Sequence, residues 1–267
     1  MINTRPPAVA GAFYPGDPAT LSATVDQLLA DTEAVSGSQP KALIVPHAGY
    51  VYSGSTAATA YATLAPWATT IHRVILLGPT HRVAVDGIAL PEAEAFSTPL
   101  GTIRLDAQAI ATIADLPQIV FSDHVHAFEH SLEVHLPFLQ RVLEHFTLVP
   151  LAVGHAAPEA VAEVLELLWG GPETLIVVSS DLSHFLPYAT ARRVDSDTCR
   201  HIAQFDIHIH PEQACGAYPI NGLLLAAQQR GLKPTLLGLC NSGDTAGDKD
   251  RVVGYAAFSF TEASDHA

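Results

Sequence analysis

The sequence predicts one α/β domain in which a mostly parallel or mixed sheet is covered by helices on both faces. Two observations support this fold class: continuous apolar runs recur along the chain, and helical patterns lie between them. A third is that no segment is long and flexible enough to act as an interdomain linker. With 267 residues, 48% of them apolar, the chain can bury one large core, and we expect a single domain over residues 1–267.

Four apolar runs predict the buried central strands, at residues 42–45, 74–77, 147–153 and 175–178. Helical patterns are predicted at residues 54–64, 131–145, 158–169 and 189–205. Residues 86–106 alternate in a way that favours a hairpin, and the final runs "TLLGLC" and "VVGYAAFSF" favour mixed or antiparallel pairing.

Composition excludes several classes of function. The chain has 13 basic and 27 acidic residues and a formal charge of −14, which opposes binding to nucleic acid or to an anionic membrane surface. No apolar run reaches the roughly 18 residues of a membrane span, and the opening segment lacks the pattern of a signal peptide. Three cysteines without CxxC spacing favour a reducing compartment, and we expect a cytoplasmic protein.

Histidines follow the predicted central strands. His47, His81 and His155 come directly after three of them, and Asp181 and His184 follow the fourth. The carboxyl ends of parallel strands share one edge of a sheet, where ligands bind in open α/β folds. A single histidine there is usually structural, but several together predict a metal site, because imidazole suits Zn, Fe, Cu and Ni.

A third metal ligand is needed, and the residues alone leave it open. The candidates are Glu129, Glu133, Asp181, Cys215 and Cys240. Cys215 precedes a predicted helix, whose N-terminus favours a thiolate, and Cys240 ends a predicted strand. These two cysteines are nearly equal candidates, whereas Cys199 lies within a helical pattern and is expected in the core.

The stretch "FEHSLEVHLPFLQ" is similar to the zinc motif HExxH, but its two histidines are five residues apart and lie on different helix faces. We interpret it as a helix start with Ser131 as N-cap and Glu133 in the first turn. Glu129 and His130 are then free to face a site, and His135 is expected to be structural. In "SSDLSHF", Asp181 and His184 form an orienting pair for proton transfer, or Ser180 or Asp181 simply caps the turn after the strand.

An ordered set of motifs resembles the Memo family, known in bacteria and archaea as AmmeMemoRadiSam system protein B. The motifs are "AGAFYPGD", "PHAGYVYSG", "LLGPTHRV", "FSTPLGTIRLD", "EHSLEVHLPFLQ", "SSDLSHF" and "ACGAYPINGLL". The resemblance implies a fold like that of class III extradiol ring-cleaving dioxygenases and metal ligands at His47, His81 and Cys215. It also implies that His130, Asp181 and His184 face the same cleft. The ring-cleaving enzymes use a carboxylate where this chain has a thiol.

The leading hypothesis is a non-haem oxidoreductase-like protein holding Fe(II), or else Cu or Zn, that acts with O₂ on a small aromatic or heterocyclic substrate. In it, His184 and His130 move protons and Asp181 fixes the tautomer of a neighbouring histidine. Tyr50 and Glu129 are expected to contact the substrate.

One alternative is a copper- or iron-binding or partner-binding protein without turnover, since the resemblance implies association with an AMMECR1-like protein and a radical SAM protein. A further alternative is a zinc hydrolase with Asp181 or Glu129 as base.

Overall fold

The computed structural model describes residues 2–33 and 37–262. That part of the chain forms twelve strands and eight α-helices. The strands are β1 Thr4–Arg5, β2 Pro40–Val45, β3 Arg73–Pro79, β4 Ile88–Leu90, β5 Ala95–Thr98, β6 Gly101–Arg104, β7 Ile119–Phe121, β8 Thr147–Val153, β9 Thr174–Ser179, β10 His184–Leu186, β11 Lys233–Asn241 and β12 Val252–Thr261. The helices are α1 Pro18–Ala30, α2 Tyr50–Tyr61, α3 Ala107–Ile113, α4 Asp123–Ala127, α5 Leu136–Val142, α6 Pro158–Leu168, α7 Tyr188–Ala203 and α8 Ala217–Gln229.

The main sheet has the strand order β10-β12-β2-β9-β3-β8-β4-β7, with β11 paired to β12. Its centre is parallel, because β2, β9, β3 and β8 pair in the same direction. Its margins are mixed: β12 runs antiparallel to β2, and β4 runs antiparallel to β8. The predicted α/β fold with a mixed sheet covered by helices is confirmed. No helix in the described ranges is both long and apolar enough to cross a membrane.

The continuous apolar runs have a simple explanation in the packing. Along β2, Ala42 and Ile44 belong to one hydrophobic cluster, and Leu43 and Val45 belong to another. Successive side chains of a strand point to opposite faces, so helices on both faces favour an unbroken apolar run such as residues 42–45. All six residues of β2 are buried, as this arrangement demands.

The predicted helix at residues 131–145 is wrong at its start. Residues Glu133–His135 form a 3₁₀ turn, and the α-helix begins only at Leu136. The side chain of Ser131 donates to the carbonyl oxygen of Pro79 and does not cap the helix. The buried carboxylate of Glu133 accepts hydrogen bonds from Arg5 at 2.6 Å and from the hydroxyl of Tyr14 at 2.6 Å. The backbone conformation at Glu133–His135 therefore depends on the contacts of Glu133 with the N-terminal segment. No local sequence rule reveals these contacts.

The predicted hairpin at residues 86–106 is correct only in its second half. Strands β5 and β6 form an antiparallel pair in which Phe96 faces Ile103. Strand β4 leaves this pair and joins the main sheet between β8 and β7. The antiparallel pairing expected for the last two runs is confirmed by the β11–β12 ladder.

Three of the predicted site residues lie just beyond parallel strands. His47 follows β2, His81 follows β3, and Asp181 follows β9, each two residues past the strand end. Since β9 lies between β2 and β3, the loop carrying Asp181 lies between the two histidine loops. The sheet order thus brings these three residues to one edge.

Candidate metal centre

Three imidazole rings meet at the carboxyl edge of the sheet. His47, His81 and His130 each offer a ring nitrogen, and these atoms lie within 4.8 Å of one another. The ring of His130 stacks on that of His81 with centroids 4.6 Å apart, and both rings lie edge-on to His47. These three residues could hold a metal ion.

The tautomer of His81 is fixed by Glu129. Its Nδ1 lies 2.9 Å from Oε1 of Glu129, and its backbone N–H donates to Oε2 of the same carboxylate. An ionised carboxylate only accepts hydrogen bonds, so Nδ1 of His81 carries the proton. The lone pair at Nε2 is then free for a metal, which is the arrangement that carboxylate–histidine pairs provide in metal sites.

Glu129 is a buried anchor of the site, with 2% of its surface exposed. Besides His81, its Oε1 accepts from the backbone N–H groups of His130 and Ser131, each at 2.9 Å. Burial works to raise its pKa, but hydrogen bonds and charge from His81 outweigh burial and hold the pKa at about 2. Both oxygens of the Glu129 carboxylate accept hydrogen bonds from protein N–H groups. The expected contact of Glu129 with the substrate stays a prediction.

His47 is held from two sides. Its backbone N–H donates to Oδ1 of Asp181 at 2.8 Å, and its Nδ1 lies 2.6 Å from the hydroxyl of Ser179. Burial lowers its pKa well below the ordinary value, and so do the positive charges of nearby histidines when protonated. His47 is therefore a neutral imidazole at physiological pH, the form in which histidine binds metals.

His130 brings a third imidazole from the loop after α4. Its ring packs against Phe13, with centroids 4.7 Å apart, and against His81. Burial first, and then the neighbouring charge of His81, lower the pKa of His130 to about 4. Sequence reasoning placed His130 facing the site as a proton-transfer group, and the geometry adds a further capacity as a metal donor.

Cys215 reaches the same centre from the start of α8. Its Sγ lies 3.4 Å from Nε2 of His47 and accepts a hydrogen bond from the backbone N–H of Asp181 at 3.3 Å. The next residue, Gly216, makes this approach possible, because a Cβ there would lie 2.5 Å from the carbonyl oxygen of Ser179. The expectation that the helix N-terminus favours a thiolate is wrong for the metal-free protein, since burial and the charge of Asp181 raise the pKa of Cys215.

The other two cysteines lie elsewhere. Cys240 makes its side-chain contact with the hydroxyl of Thr56, 3.0 Å away, at the end of edge strand β11. Cys199 lies on α7 and is buried in the hydrophobic core, as expected. Among the cysteines, the contact with His47 distinguishes Cys215.

Asp181 and His184 occupy different positions around the centre. Burial raises the pKa of Asp181 to about 7, although its hydrogen bond from His47 opposes the rise. Its carboxylate reaches the backbone of His47 and comes only within 3.9 Å of the ring Nε2. The tautomer of His47 is therefore set by Ser179 and that of His81 by Glu129, because these residues contact the ring nitrogens. Asp181 does not have the expected tautomer-fixing role. His184 begins strand β10, where a loop was predicted, and burial lowers its pKa.

Two further expected residues have other surroundings. Tyr50 packs against Phe138, with centroids 5.0 Å apart, and donates its hydroxyl to the carbonyl oxygen of Val134. His155 obeys the same strand-end rule as His47, yet it is exposed and packs edge-on against Tyr218. Only some of the residues that follow a strand at this edge of the sheet therefore reach the centre.

Sequence reasoning missed two contributors, Ser179 and Phe13. Ser179 directly follows the strand predicted at residues 175–178 and has no predicted role, although the position of β9 between the histidine-bearing strands makes it a neighbour of His47. Phe13 belongs to the "AGAFYPGD" segment, whose Gly and Pro residues signal a turn but not what the turn contacts. The anchoring of this segment by Glu133 brings Phe13 to His130.

The donor chemistry fits a borderline or soft metal. Imidazoles and a thiol favour Fe(II), copper or zinc over Mg²⁺ and Ca²⁺, which prefer oxygen ligands. Because burial lowers the pKa values of His47 and His130, their lone pairs are available without loss of protons, and Cys215 could supply negative charge once deprotonated.

The fold and these side chains define an α/β protein with a histidine-lined candidate metal centre at the carboxyl edge of its sheet. A family model described as Memo-like protein matches residues 5–259, and the chain belongs to that family. A MEMO1 family protein of Aquifex aeolicus is 34% identical over 275 residues, covering 97% of this chain and 100% of the relative. Another, from Methanosarcina mazei, is 37% identical over 273 residues, covering 96% and 98%.

The fold also has a solved counterpart. The crystal structure of an uncharacterized protein from Escherichia coli K12 covers 82% of this chain and 98% of that chain, with a TM-score of 0.53. The two sequences are 13% identical, so the likeness concerns the fold alone.

Proposed function

We propose that this protein is a non-haem metal protein of oxidoreductase type that acts with O₂ on a small aromatic or heterocyclic substrate. The observation that carries the proposal is the convergence of His47, His81 and His130, two of which have Nδ1 engaged by protein partners. Metal-binding imidazoles are usually held in this way. Bound Fe(II) or copper would supply coordination positions for O₂ and for a chelating substrate.

His47, His81 and Cys215 are proposed as the protein donors. The contact between Cys215 and Nε2 of His47 supports this set, since the thiol and the free imidazole nitrogen are adjacent. His130 then remains beside the centre as a proton carrier, with its stacked ring kept neutral by burial. A centre of three histidines is the competing arrangement, and it shares His47 and His81.

Proton transfer is assigned to Asp181, His184 and His130. A general acid or base is most effective when its pKa lies near the operating pH, and burial gives Asp181 a pKa of about 7. The positive charge of protonated His184 contributes to the lowered pKa of His47, and that of protonated His81 contributes to the lowered pKa of His184. These residues would hold or move a proton next to a substrate bound at the centre.

A second candidate is a copper- or iron-binding protein without turnover. Cys215 favours it, because a soft sulfur donor beside imidazoles suits Cu(I). In this role the protein would present the metal, or the surface around it, to a partner, and an AMMECR1-like protein and a radical SAM protein are the proposed partners.

The test begins with protein purified without O₂ and loaded separately with Fe(II), Cu(I) and Zn(II). Metal stoichiometry is measured first, followed by O₂ consumption against a panel of catechols and related heterocycles. Turnover with Fe(II) or copper, lost in His47→Ala and retained in Cys240→Ser, supports the oxidoreductase. Tight copper or iron binding without O₂ uptake supports the second candidate, and hydrolysis with zinc alone would replace both with a zinc hydrolase.

A further inference from the structure

A pocket of about 270 Å³ lies between helix α7 and edge strand β11. The polar residues that line it include Tyr188, Arg192 and Asp195 of α7, Asn241 at the end of β11, and Asp244 just after it. The three positions on α7 are spaced by four and three residues, so they lie on one face of the helix. None of the side chains assigned to the candidate metal centre lines this pocket.

Asp195 gives the pocket a buried carboxylate with one unused oxygen. The residue is 1% exposed, and its Oδ1 accepts from the backbone N–H of Ser183 at 3.0 Å. Its Oδ2 has no donor within residues 2–33 and 37–262, and the buried hydroxyl of Ser183 has no hydrogen-bond partner in the same ranges. Burial raises the pKa of Asp195 to about 6, although the backbone hydrogen bond from Ser183 opposes the rise. A cationic group of a ligand would therefore stabilise the ionised carboxylate.

Asn241 places unused donors next to this carboxylate. It is 2% exposed, and its Oδ1 accepts from the backbone N–H of Gly243 at 2.9 Å, whereas its Nδ2 has no acceptor in the described part of the chain. Asn241 faces Gly254 across the β11–β12 ladder, and a Cβ at Gly254 would overlap the carboxylate of Asp195. Directly opposed residues of two strands present their side chains on the same face. The floor of the pocket therefore combines a free acceptor with free donors.

Arg192 adds a positive charge on the exposed side of the pocket. Its guanidinium lies 5.8 Å from the ring centroid of Tyr188, and it forms no ion pair with a carboxylate of the described residues. Asp244 is already engaged, because it accepts from the hydroxyl of Tyr188 at 2.6 Å and from the backbone N–H of Asn241 at 3.1 Å. The pocket thus holds a guanidinium and a buried carboxylate that both lack a charged partner.

We propose that this pocket binds a small zwitterion of the amino-acid class, with its ammonium on Asp195 and its carboxylate between Asn241 and Arg192. A simple amine would leave Arg192 unused, and a simple anion would be repelled by the ionised Asp195. A ligand that carries both charges uses the whole set. Asp195 and Arg192 are three residues apart on α7, so one small molecule can reach both. The inference concerns a site other than the metal centre and does not rest on the proposed function.

The experiment uses the full-length, metal-free, ¹⁵N-labelled protein at about pH 8, where Asp195 is ionised. L-amino acids with uncharged side chains are titrated up to about 10 mM, and shifts in ¹H–¹⁵N correlation spectra report binding. Each amino acid that binds is compared with two analogues of the same carbon skeleton, the amine without the carboxylate and the acid without the amine. For L-alanine these are ethylamine and propionate. At least one amino acid should bind, and both of its analogues should bind at least about 10-fold more weakly.

Two variants assign the two charges of the ligand. Asp195→Asn keeps an oxygen for the N–H of Ser183 but removes the negative charge, and Arg192→Gln removes the positive charge. Each should weaken binding of the amino acid by about 10-fold to 100-fold, the usual effect of losing a hydrogen bond to a charged group. Asp197→Asn and Arg200→Gln are the matched controls, since these two residues pair with each other on the exposed side of α7. Both controls should bind as the wild type.

Three results would each overturn the inference. The first is that no amino acid of the panel binds below about 10 mM. The second is that an amine or acid analogue binds as tightly as its parent, which would make the pocket a site for a single charge. The third is wild-type affinity in Asp195→Asn or in Arg192→Gln. Should Asp195→Asn not fold, Arg192→Gln decides alone, because its side chain is exposed.

Discussion

Nε2 of His47 lies 3.4 Å from Sγ of Cys215, although 168 positions of the chain separate the two residues. Two donors on one zinc-like ion, at about 2.1 Å for nitrogen and about 2.3 Å for sulfur, would be about 3.6 Å apart in tetrahedral geometry. The pair is therefore already spaced as shared ligands would be. The clustering of His130 with His47 and His81 offers a competing third donor, and the first two predictions distinguish the donor sets.

Replacing Cys215 by serine should weaken binding of copper or Fe(II) more than about 100-fold, beyond the usual effect of losing an outer partner. The reason is that serine offers no soft donor beside His47. Cys240→Ser is the matched control and should bind as the wild type, since its Sγ contacts Thr56. Competition titrations against a chromogenic chelator measure both. Equal affinity in the two variants would falsify the assignment of Cys215.

The pH dependence of metal affinity should reveal the thiol independently. Burial raises the pKa of Cys215, so a metal that binds it must displace a proton over the whole neutral range. Affinity should then rise about tenfold per pH unit between about pH 6.5 and pH 8.5, with one proton released per ion, as calorimetry in buffers of different ionisation enthalpy can count. Burial lowers the pKa of His47, and that of His130 to about 4, so a centre of histidines alone would release no proton from these two residues.

Glu129→Gln should weaken metal binding about 10-fold to 100-fold by disturbing His81. Four N–H groups, from His81, His130 and Ser131, converge on the carboxylate, and an amide must turn its own N–H₂ toward some of them. The loss of buried hydrogen bonds should also lower the free energy of unfolding by about 1–3 kcal/mol.

The control for Glu129 is Glu163→Gln, an exposed carboxylate on α6 that accepts from Gln118. Chelator competition and urea unfolding should show both effects in Glu129→Gln and neither in Glu163→Gln. Wild-type affinity in Glu129→Gln would mean that His81 does not depend on this carboxylate.

The metal-free protein should lose stability in acid partly through His126. Burial lowers its pKa to about 4, and its Nε2 donates to the carbonyl oxygen of Ala89. Below about pH 6.5 the unfolded chain takes up a proton at this ring, whereas the folded protein does not until about pH 4. The free energy of unfolding therefore falls as the pH decreases through that window.

His126→Gln, whose amide can still donate to Ala89, should make this pH dependence shallower by up to about 1.4 kcal/mol per pH unit. Urea unfolding at several pH values between about pH 7 and pH 4.5 gives the two slopes. Identical slopes would show that His126 does not titrate as its burial requires. Asp181 and His135 are present in both proteins, so their contributions cancel in the difference.

His184→Ala should separate metal binding from chemistry. The donors assigned to the metal lie on other residues, so metal content and thermal stability should stay close to those of the wild type. Turnover should slow by about 10²-fold to 10⁴-fold, the usual scale for losing a general acid or base. Metal analysis, thermal unfolding and O₂ uptake with the substrate that the panel identifies provide the readouts. Loss of the metal would make His184 a ligand, and wild-type turnover would remove its catalytic role.

Much of the fold and half of the centre follow from local sequence. An apolar run such as residues 74–77 predicts a strand buried on both faces, and His81 follows that run by four positions. In the structure, β3 continues through Gly78 and Pro79 and ends two residues before His81. The same pattern after β2 places His47. Hydrophobic periodicity and turn chemistry are local properties, and a sequence displays them directly.

Only the tertiary structure decided how these residues work together. His155 satisfies the same local rule as His47 and remains exposed, because strand order, and not strand ending, determines which loops converge. The partners that set the tautomers of His47 and His81 are Ser179 and Glu129, which lie 132 and 48 positions away in the chain. Hydrogen bonds act over about 3 Å of space, and contacts between segments so distant in sequence exist only after the sheet and its covering helices have packed.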